Sequence, residues 1–295
     1  MEGGALALRL SRQAAYLMDA VVRAKRDAFL QKIGTRPLVM GILNLTPDSF
    51  SDGGRFQAPG AAIARAEKLV ADGCDIVDVG GESTRPGAAP VSAEEELERV
   101  TPVVAALAPR LEAPLSIDTY KAAVAARAIE LGAILVNDVW GLQKDPAMAE
   151  TVAAGQAALV IMHNRAEKDD GLDIVADIRQ FFDHSLALAA RADIPGDRII
   201  LDPGIGFGKT SRQNRDVIAR LARLTDYRLP ILIGTSRKAF LGSLTQDGAE
   251  ASPSGTIAAN LAAAAAGAAI FRVHDVAENV AALRVFHILR AKATR

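Results

Sequence analysis

The sequence predicts an α/β fold, a (β/α)8 TIM barrel carrying an N-terminal helical extension. Three observations carry that prediction. Eight short apolar runs rich in β-branched residues recur along the chain, each followed by a helix-like stretch. Half of the residues are hydrophobic but only 4% are aromatic, so Ala, Val, Ile and Leu supply most of the apolar mass, as in a parallel sheet buried on both faces. The 295 residues hold no low-complexity linker and no second compositional block, and a barrel of about 250 residues is commonly one unit. These features favour a closed barrel over the runner-up, an open doubly wound sheet.

Residues 1–35 are read as the extension and residues 36–295 as the barrel. In the extension Arg9, Arg12, Asp19, Arg23, Lys25, Arg26 and Asp27 interrupt the apolar residues, leaving no secretory core. Leu6, Leu10, Ala14, Leu17, Val21 and Ala24 recur at three- and four-residue spacing, which predicts an amphipathic helix covering the barrel bottom or an interface. An organelle address is the alternative. The strand runs begin at Pro37, Asp75, Pro114, Ile134, Ala158, Ile199, Pro230 and Ala269. Ser92 with Glu95 reads as a capping box, Asp145 with Pro146 as an N-cap followed by proline at the first helical position. Gly73 and Gly132 end helices where a left-handed residue is needed. The alanine-rich stretch from Ala258 to Ala269 reads as a tightly packed helix whose small face could serve a dimer contact.

The 34 basic and 35 acidic residues nearly cancel, so no global field favours nucleic acid or an anionic membrane. A lone Cys74 and the absence of a long apolar run fit a reducing, cytoplasmic setting.

Unusual polar residues gather where each strand run ends. Asn44 closes the first; Glu82, Ser83, Thr84 and Arg85 follow the second; Asp118 closes the third, and Asn137 with Asp138 the fourth. His163 ends the fifth, Asp202 the sixth, Ser236, Arg237 and Lys238 the seventh, and Arg272 with His274 the eighth. Singly, such residues are usually caps or turns. Eight strand ends with the same signal point instead to the C-terminal mouth, where barrel enzymes place their sites.

Lys238, Arg237, Arg272 and His274 read as a cationic corner for a phosphorylated substrate. Asp118, Asn137 and Asp202 offer the polar edges that a flat pyrimidine-like or pterin-like ring requires. Asn44 and Asp52 are hard oxygen ligands suited to Mg2+, which completes its shell with water and substrate oxygens. His184 and His287 fall inside helices, and no transition-metal spacing exists. The run PGIGFGKT from Pro203 lacks the first glycine of a P-loop and the third of a dinucleotide fingerprint; its glycines are read as letting a loop pass close to ligand.

Seven segments together resemble one family, the dihydropteroate synthases: MGILNLTPDSFSDGG from Met40, GGESTRPGA from Gly80, SIDT from Ser116, NDVWG from Asn137, DPGIGFGKT from Asp202, GTSRK from Gly234 and FRVHDV from Phe271. The resemblance implies a transferase of folate biosynthesis that condenses 6-hydroxymethyl-7,8-dihydropterin pyrophosphate with p-aminobenzoate, acts as a homodimer and is a sulfonamide target. It implies that Asp118, Asn137, Asp202 and Lys238 hold the pterin, with Met162 and Phe207 packed on it. Arg272, His274, the backbone near Val273 and Thr84 would hold the pyrophosphate. Phe50, Arg85 and Pro86 would close over p-aminobenzoate, and Asn44 with Asp52 would bind Mg2+. Asp118, Lys238, Arg272 and His274 would carry the catalysis. One departure is the fifth loop, MHNRAEKDDG from Met162, whose contacts the family pattern does not give. The rivals are a pterin-dependent methyltransferase domain, which would not need the GESTRPGA loop, and a non-catalytic pterin-binding paralogue.

Overall fold

The computed structural model describes residues 20–45, 58–83, 89–245 and 252–293. In chain order the elements are α1 (Ala20–Lys32), β1 (Leu38–Asn44), α2 (Ala58–Ala71), β2 (Ile76–Gly80), α3 (Ala93–Leu107), β3 (Leu115–Asp118), α4 (Ala122–Glu130) and β4 (Leu135–Asp138). There follow α5 (Met148–Gly155), β5 (Ala158–Met162), α6 (Ile174–Arg191), β6 (Ile199–Asp202), α7 (Ser211–Ala219), β7 (Leu232–Ile233), α8 (Ala239–Thr245), α9 (Pro253–Ala265), β8 (Ile270–Val273) and α10 (Val276–Ala293). All eight strand runs became strands.

The strands pair in parallel in the order β6-β5-β4-β3-β2-β1-β8-β7. A parallel bridge between Leu201 and Ile231 joins the two ends, and the Leu201 amide donates to the Pro230 carbonyl at 2.9 Å. The sheet therefore closes on itself, and every strand has its sequence neighbour beside it. A doubly wound sheet would show a reversal of strand order, which is absent here.

Alternation along the strands divides the apolar residues into two bodies. Leu38, Met40, Ile76, Leu135, Ala158, Val160, Ile200, Leu232 and Ile270 form an interior cluster. Val39, Val77, Ile117, Val136, Leu159, Leu201 and Phe271 belong to a larger cluster that also contains the buried helix faces. Helix α1 delivers Phe29, 2% exposed, to the interior cluster, so it closes the bottom of the barrel. It is anchored by Lys25, which donates to the Leu111 carbonyl at 3.2 Å, and by the buried Arg26, which donates to the Gln156 carbonyl. The more N-terminal part of the expected helix lies outside the described residues.

Local signals held unevenly. Gly73 and Gly132 adopt φ of 97° and 109°, as their helix-ending positions require. Ser92 accepts from the Glu95 amide, but the Glu95 carboxylate pairs with Arg99. The reciprocal capping box sits at Thr210 and Gln213 instead. Asp145 does not begin a helix: α5 starts at Met148, and Asp145 accepts from the amides of Ala147 at 3.0 Å and Ala122 at 2.8 Å, tying the turn to the start of α4. Among the described residues no helix is long and apolar enough to cross a membrane.

Candidate active site

Inward-facing positions turn from apolar to polar toward the C-terminal ends of the strands. Asp78 lies level with Ile42 and Ser116; one step up, Gly80 lies level with Asn44 and Asp118, and Asp118 with Asn137. Met162 and Asp202 are paired on β5 and β6. Arg272 starts lower, opposite Met40. Its Nε donates to Asp78 Oδ2 at 2.6 Å and its Nη2 to Asp118 Oδ2 at 2.5 Å. Asn137 Nδ2 donates to the same Asp78 oxygen at 3.0 Å.

The network is buried but not closed. Asp78 Oδ1, Ser116 Oγ, Asp118 Oδ1 and Asn137 Oδ1 are all sequestered without a hydrogen-bond partner. Buried polar atoms left this way cost about 1–3 kcal/mol each, so a cluster of them inside one mouth marks a surface that a polar ligand completes. Burial pushes the Asp118 carboxyl up, against the pull of Arg272. Asp202 is pushed up to about 6 by burial, opposed by the Gly204 amide at 2.7 Å and by Lys209. Burial works against the Arg272 charge, yet Asp118 and Asp78 together hold its pKa above the ordinary value.

The β5 and β6 ends form a second buried cluster. Lys209, 2% exposed, donates to His163 Nδ1 at 2.7 Å and to the carbonyls of Gly204 at 2.7 Å and Phe207 at 3.1 Å. Because Nδ1 accepts, the proton sits on Nε2, which reaches Asp177 at 3.0 Å. Arg165 brackets the same carboxylate at 2.8 and 2.9 Å. Burial pushes His163 down to about 4 and Lys209 down to about 7, while the His163 hydrogen bond draws Asp177 down to about 2. His163 therefore points out of the mouth, contrary to the expectation that it lines it. The glycines also serve protein contacts first: a Cβ on Gly204 would stand 1.9 Å from the His163 carbonyl, and one on Gly208 2.4 Å from the Arg165 Cβ. The atypical fifth loop is docked here too, through Asn164 to the Val139 carbonyl and Asp170 to Thr210. Phe207 faces Lys238, whose Nζ lies 4.6 Å from the ring centre.

The expected cationic corner is largely neutralised. Arg237, at φ 57°, pairs with Asp275 at 2.6 Å, and Arg272 is held by two carboxylates. His274 Nδ1 lies 2.9 Å from Ser236 Oγ, and burial with the charges of Arg272 and Arg237 pushes it down to about 3, so it is neutral. Arg272 on β8 meets carboxylates from β2 and β3, which adjacency in sequence could not show. Asp138 also turns away from the mouth, accepting from the Trp140 and Leu142 amides. Glu82 is bound by Tyr120 and Lys121, and Lys121 also reaches the buried Glu96.

Phe50, Asp52, Thr84, Arg85 and Pro86 lie outside the described residues. Val273 is fully buried on β8, and Met162 is 3% exposed at the tip of β5. Asn44 Oδ1 stands beside Gly80, 3.8 Å from where a Cβ would be. Among the described residues no group of three or more His, Cys, Asp or Glu side chains could hold a metal. Asn44 thus offers one hard oxygen, which fits Mg2+ only when substrate and water fill the rest of its shell. Asp78 was missed by sequence reasoning; its signal was an acid at the inward phase of an otherwise apolar strand, two residues from Ile76 and from Gly80.

Comparison with known proteins adds independent findings. The model of the pterin binding enzyme family matches residues 40–274. The chain is 44% identical over 258 residues to a dihydropteroate synthase of Clostridium beijerinckii, covering 87% of this chain and 96% of that one. It is similar to the Xanthomonas albilineans dihydropteroate synthase solved with 4-aminobenzoic acid, at 42% identity and TM-score 0.82, covering 87% and 94% of the two chains. The same enzyme in complex with 7,8-dihydropteroate aligns at 41% identity and TM-score 0.79, again over 87% and 94%. A Yersinia pestis dihydropteroate synthase in a sulfonamide drug complex aligns at 41% identity and TM-score 0.79, over 87% of this chain and 95% of that one.

Proposed function

This chain belongs to the pterin-binding enzyme family, within it to the dihydropteroate synthases, and from that premise we propose that it condenses 6-hydroxymethyl-7,8-dihydropterin pyrophosphate with p-aminobenzoate. The products are 7,8-dihydropteroate and pyrophosphate. The observation that carries the reading is the row of buried acceptors without partners, Asp118 Oδ1 and Asn137 Oδ1 above Asp78. Such a row accepts the N–H edge of a flat nitrogen ring and loses its desolvation cost when the ring arrives.

In the proposed reaction the bond from the pterin methylene carbon to the pyrophosphate oxygen breaks, the amine nitrogen of p-aminobenzoate bonds to that carbon, and a proton leaves the nitrogen. Asp118 holds the ring and stabilises the positive charge that develops as the leaving group departs. Asp202 and Asn137 fix the ring, Met162 and Phe207 pack on it, and Lys238 lies at its edge beside Phe207. Neutral His274 donates an N–H to the pyrophosphate, with Arg272, Thr84 and the backbone at Val273 completing that end. Phe50, Arg85 and Pro86 form the p-aminobenzoate pocket. Asn44 with Asp52 would hold Mg2+, which when bound neutralises charge on the departing pyrophosphate. No protein nucleophile is required; Cys74 is buried and its thiol is pushed up to about 12 by burial.

A homodimer and a cytoplasmic setting complete the proposal. On α9 the exposed small residues Ala258, Ala262 and Ala265 offer a face for a second copy, and a single buried cysteine suits a reducing compartment. Light scattering at micromolar concentration should give twice the chain mass. The decisive assay is pyrophosphate release by the purified protein with the pterin pyrophosphate, p-aminobenzoate and Mg2+. Release that needs all three, matched by dihydropteroate and competed by a sulfonamide, is expected; pterin binding without turnover would overturn the catalytic reading.

A further inference from the structure

We propose that Asp78 is a positioning residue of the pterin site: it fixes which end of the Asn137 amide faces the mouth and holds the Arg272 guanidinium between β2 and β3. The inference rests on the pterin reading above and deepens it. Asp78 is fully buried and lies one inward step below the ring of Asn44, Asp118 and Asn137. One of its oxygens, Oδ2, receives both Asn137 Nδ2 at 3.0 Å and Arg272 Nε at 2.6 Å.

The two ends of an amide are nearly identical in shape, so hydrogen bonds decide which end points where. A carboxylate can only accept, and Asp78 therefore draws Nδ2 toward itself and turns Oδ1 into the site as an acceptor. Among the described residues Asn137 makes no other side-chain bond that would hold this orientation. Arg272 is fixed the same way at its second end: with Nε on Asp78, only Nη2 goes to Asp118 Oδ2, and Asp118 Oδ1 stays open beside Asn137 Oδ1. Asp78 thus writes an acceptor–acceptor pattern it does not itself present to the ring. Without it the Asn137 amide is free to turn, and a ring N–H would meet an N–H.

The test measures binding of 6-hydroxymethyl-7,8-dihydropterin pyrophosphate by calorimetry, together with the KM for p-aminobenzoate at saturating pterin. Asp78→Ala should weaken pterin binding roughly 10- to 100-fold, the range expected when a donor meets an unpaired donor, while leaving the p-aminobenzoate KM within about twofold. Asp78→Asn should rescue most of the binding, because its carbonyl oxygen can accept from both Asn137 and Arg272. In an Asn137→Ala background the Asp78→Ala loss should shrink, because one of its two routes is gone. An undiminished loss in that background, or an Asp78→Asn loss equal to that of Asp78→Ala, would overturn the orienting role. Should Asp78→Ala not fold, NMR of the wild type decides: an Asn137 side-chain amide proton should be protected from exchange with and without pterin, and rapid exchange of both would overturn the proposal. Failure of the wild type itself to bind the pterin would reject the functional reading and the positioning role of Asp78 with it; loss of binding only in Asp78→Ala leaves the functional reading standing.

Discussion

Two buried polar clusters sit side by side at the C-terminal end of this barrel, and they differ in how fully their hydrogen bonds are satisfied. Around Lys209 every group is matched: its ammonium meets three acceptors, His163 uses both ring nitrogens, and Asp177 receives Arg165 and His163. Around Arg272 the matching stops short, and Asp78, Ser116, Asp118 and Asn137 each keep a buried atom without a partner. Both clusters are largely buried, but the first sets Lys209 and Arg165 around one carboxylate while the second sets one cation between two carboxylates. The residual hydrogen-bonding capacity separates them, and it separates a clamp on two loops from a surface shaped for a ligand.

That contrast is most sharply tested at its two lysines and at Arg272. Arg272→Ala should lower kcat/KM by roughly 100-fold or more, the scale of losing one preorganised charge at a reacting centre. It should also destabilise the fold by about 3–5 kcal/mol, because Asp78 and Asp118 lose the cation that compensates them. Lys238→Ala should show a comparable loss of turnover with little change in the urea midpoint. Equal stability of the two variants would dissolve the distinction drawn around Arg272.

Lys209→Met addresses the closed cluster and should give the reverse pattern. It removes the partner of His163 Nδ1 and of two carbonyls, at a cost of roughly 2–4 kcal/mol in urea unfolding. Turnover at saturating substrate should fall by less than about tenfold, since Lys209 touches Phe207 only through its backbone carbonyl. A variant that keeps its stability but loses turnover would move Lys209 from clamp to site.

The same contrast explains what could be read from the sequence. The strands were legible because apolar, β-branched runs bounded by glycine and proline leave few alternatives, and the mouth was legible because Asn44, Asp118, Asn137 and Asp202 each end such a run. Which neighbour faces in was also available from strand alternation: Asn137 shares its phase with Leu135 and points inward, so Asp138 cannot, and Met162 excludes His163 in the same way. The ion pairs were not legible. Arg272 is 194 residues from Asp78 and 154 from Asp118 along the chain, and no local pattern couples them. Asp78 itself looks like an interruption of an apolar strand until the closed barrel brings β4 and β8 to it.

The smallest expected effect lies in the pH dependence of stability, where lowered histidines and raised carboxyls act with opposite sign. Between about pH 4 and 6.5 the unfolded His163 carries a proton that the folded one does not, so stability rises with pH and is lost as pH falls through that window. His274, pushed down to about 3, adds to the same slope, and Asp177 extends it below pH 3.8. Asp118 and Asp202 do the reverse: their carboxyls are raised above the ordinary 3.8, so above it the unfolded state sheds protons that the native state keeps, and stability is lost as pH rises toward 6 and beyond. Asp138, raised to about 6, and Glu96, also raised, join them, so the raised carboxyls outnumber the lowered histidines and the wild-type unfolding free energy should fall from pH 4.5 to 6.5. Asp118→Asn removes one of the raised carboxyls, so the variant's stability should fall less steeply with pH over that interval than the wild type's does. His163→Gln should tilt the curve the other way, and parallel curves for all three proteins would show that neither cluster titrates differently on folding.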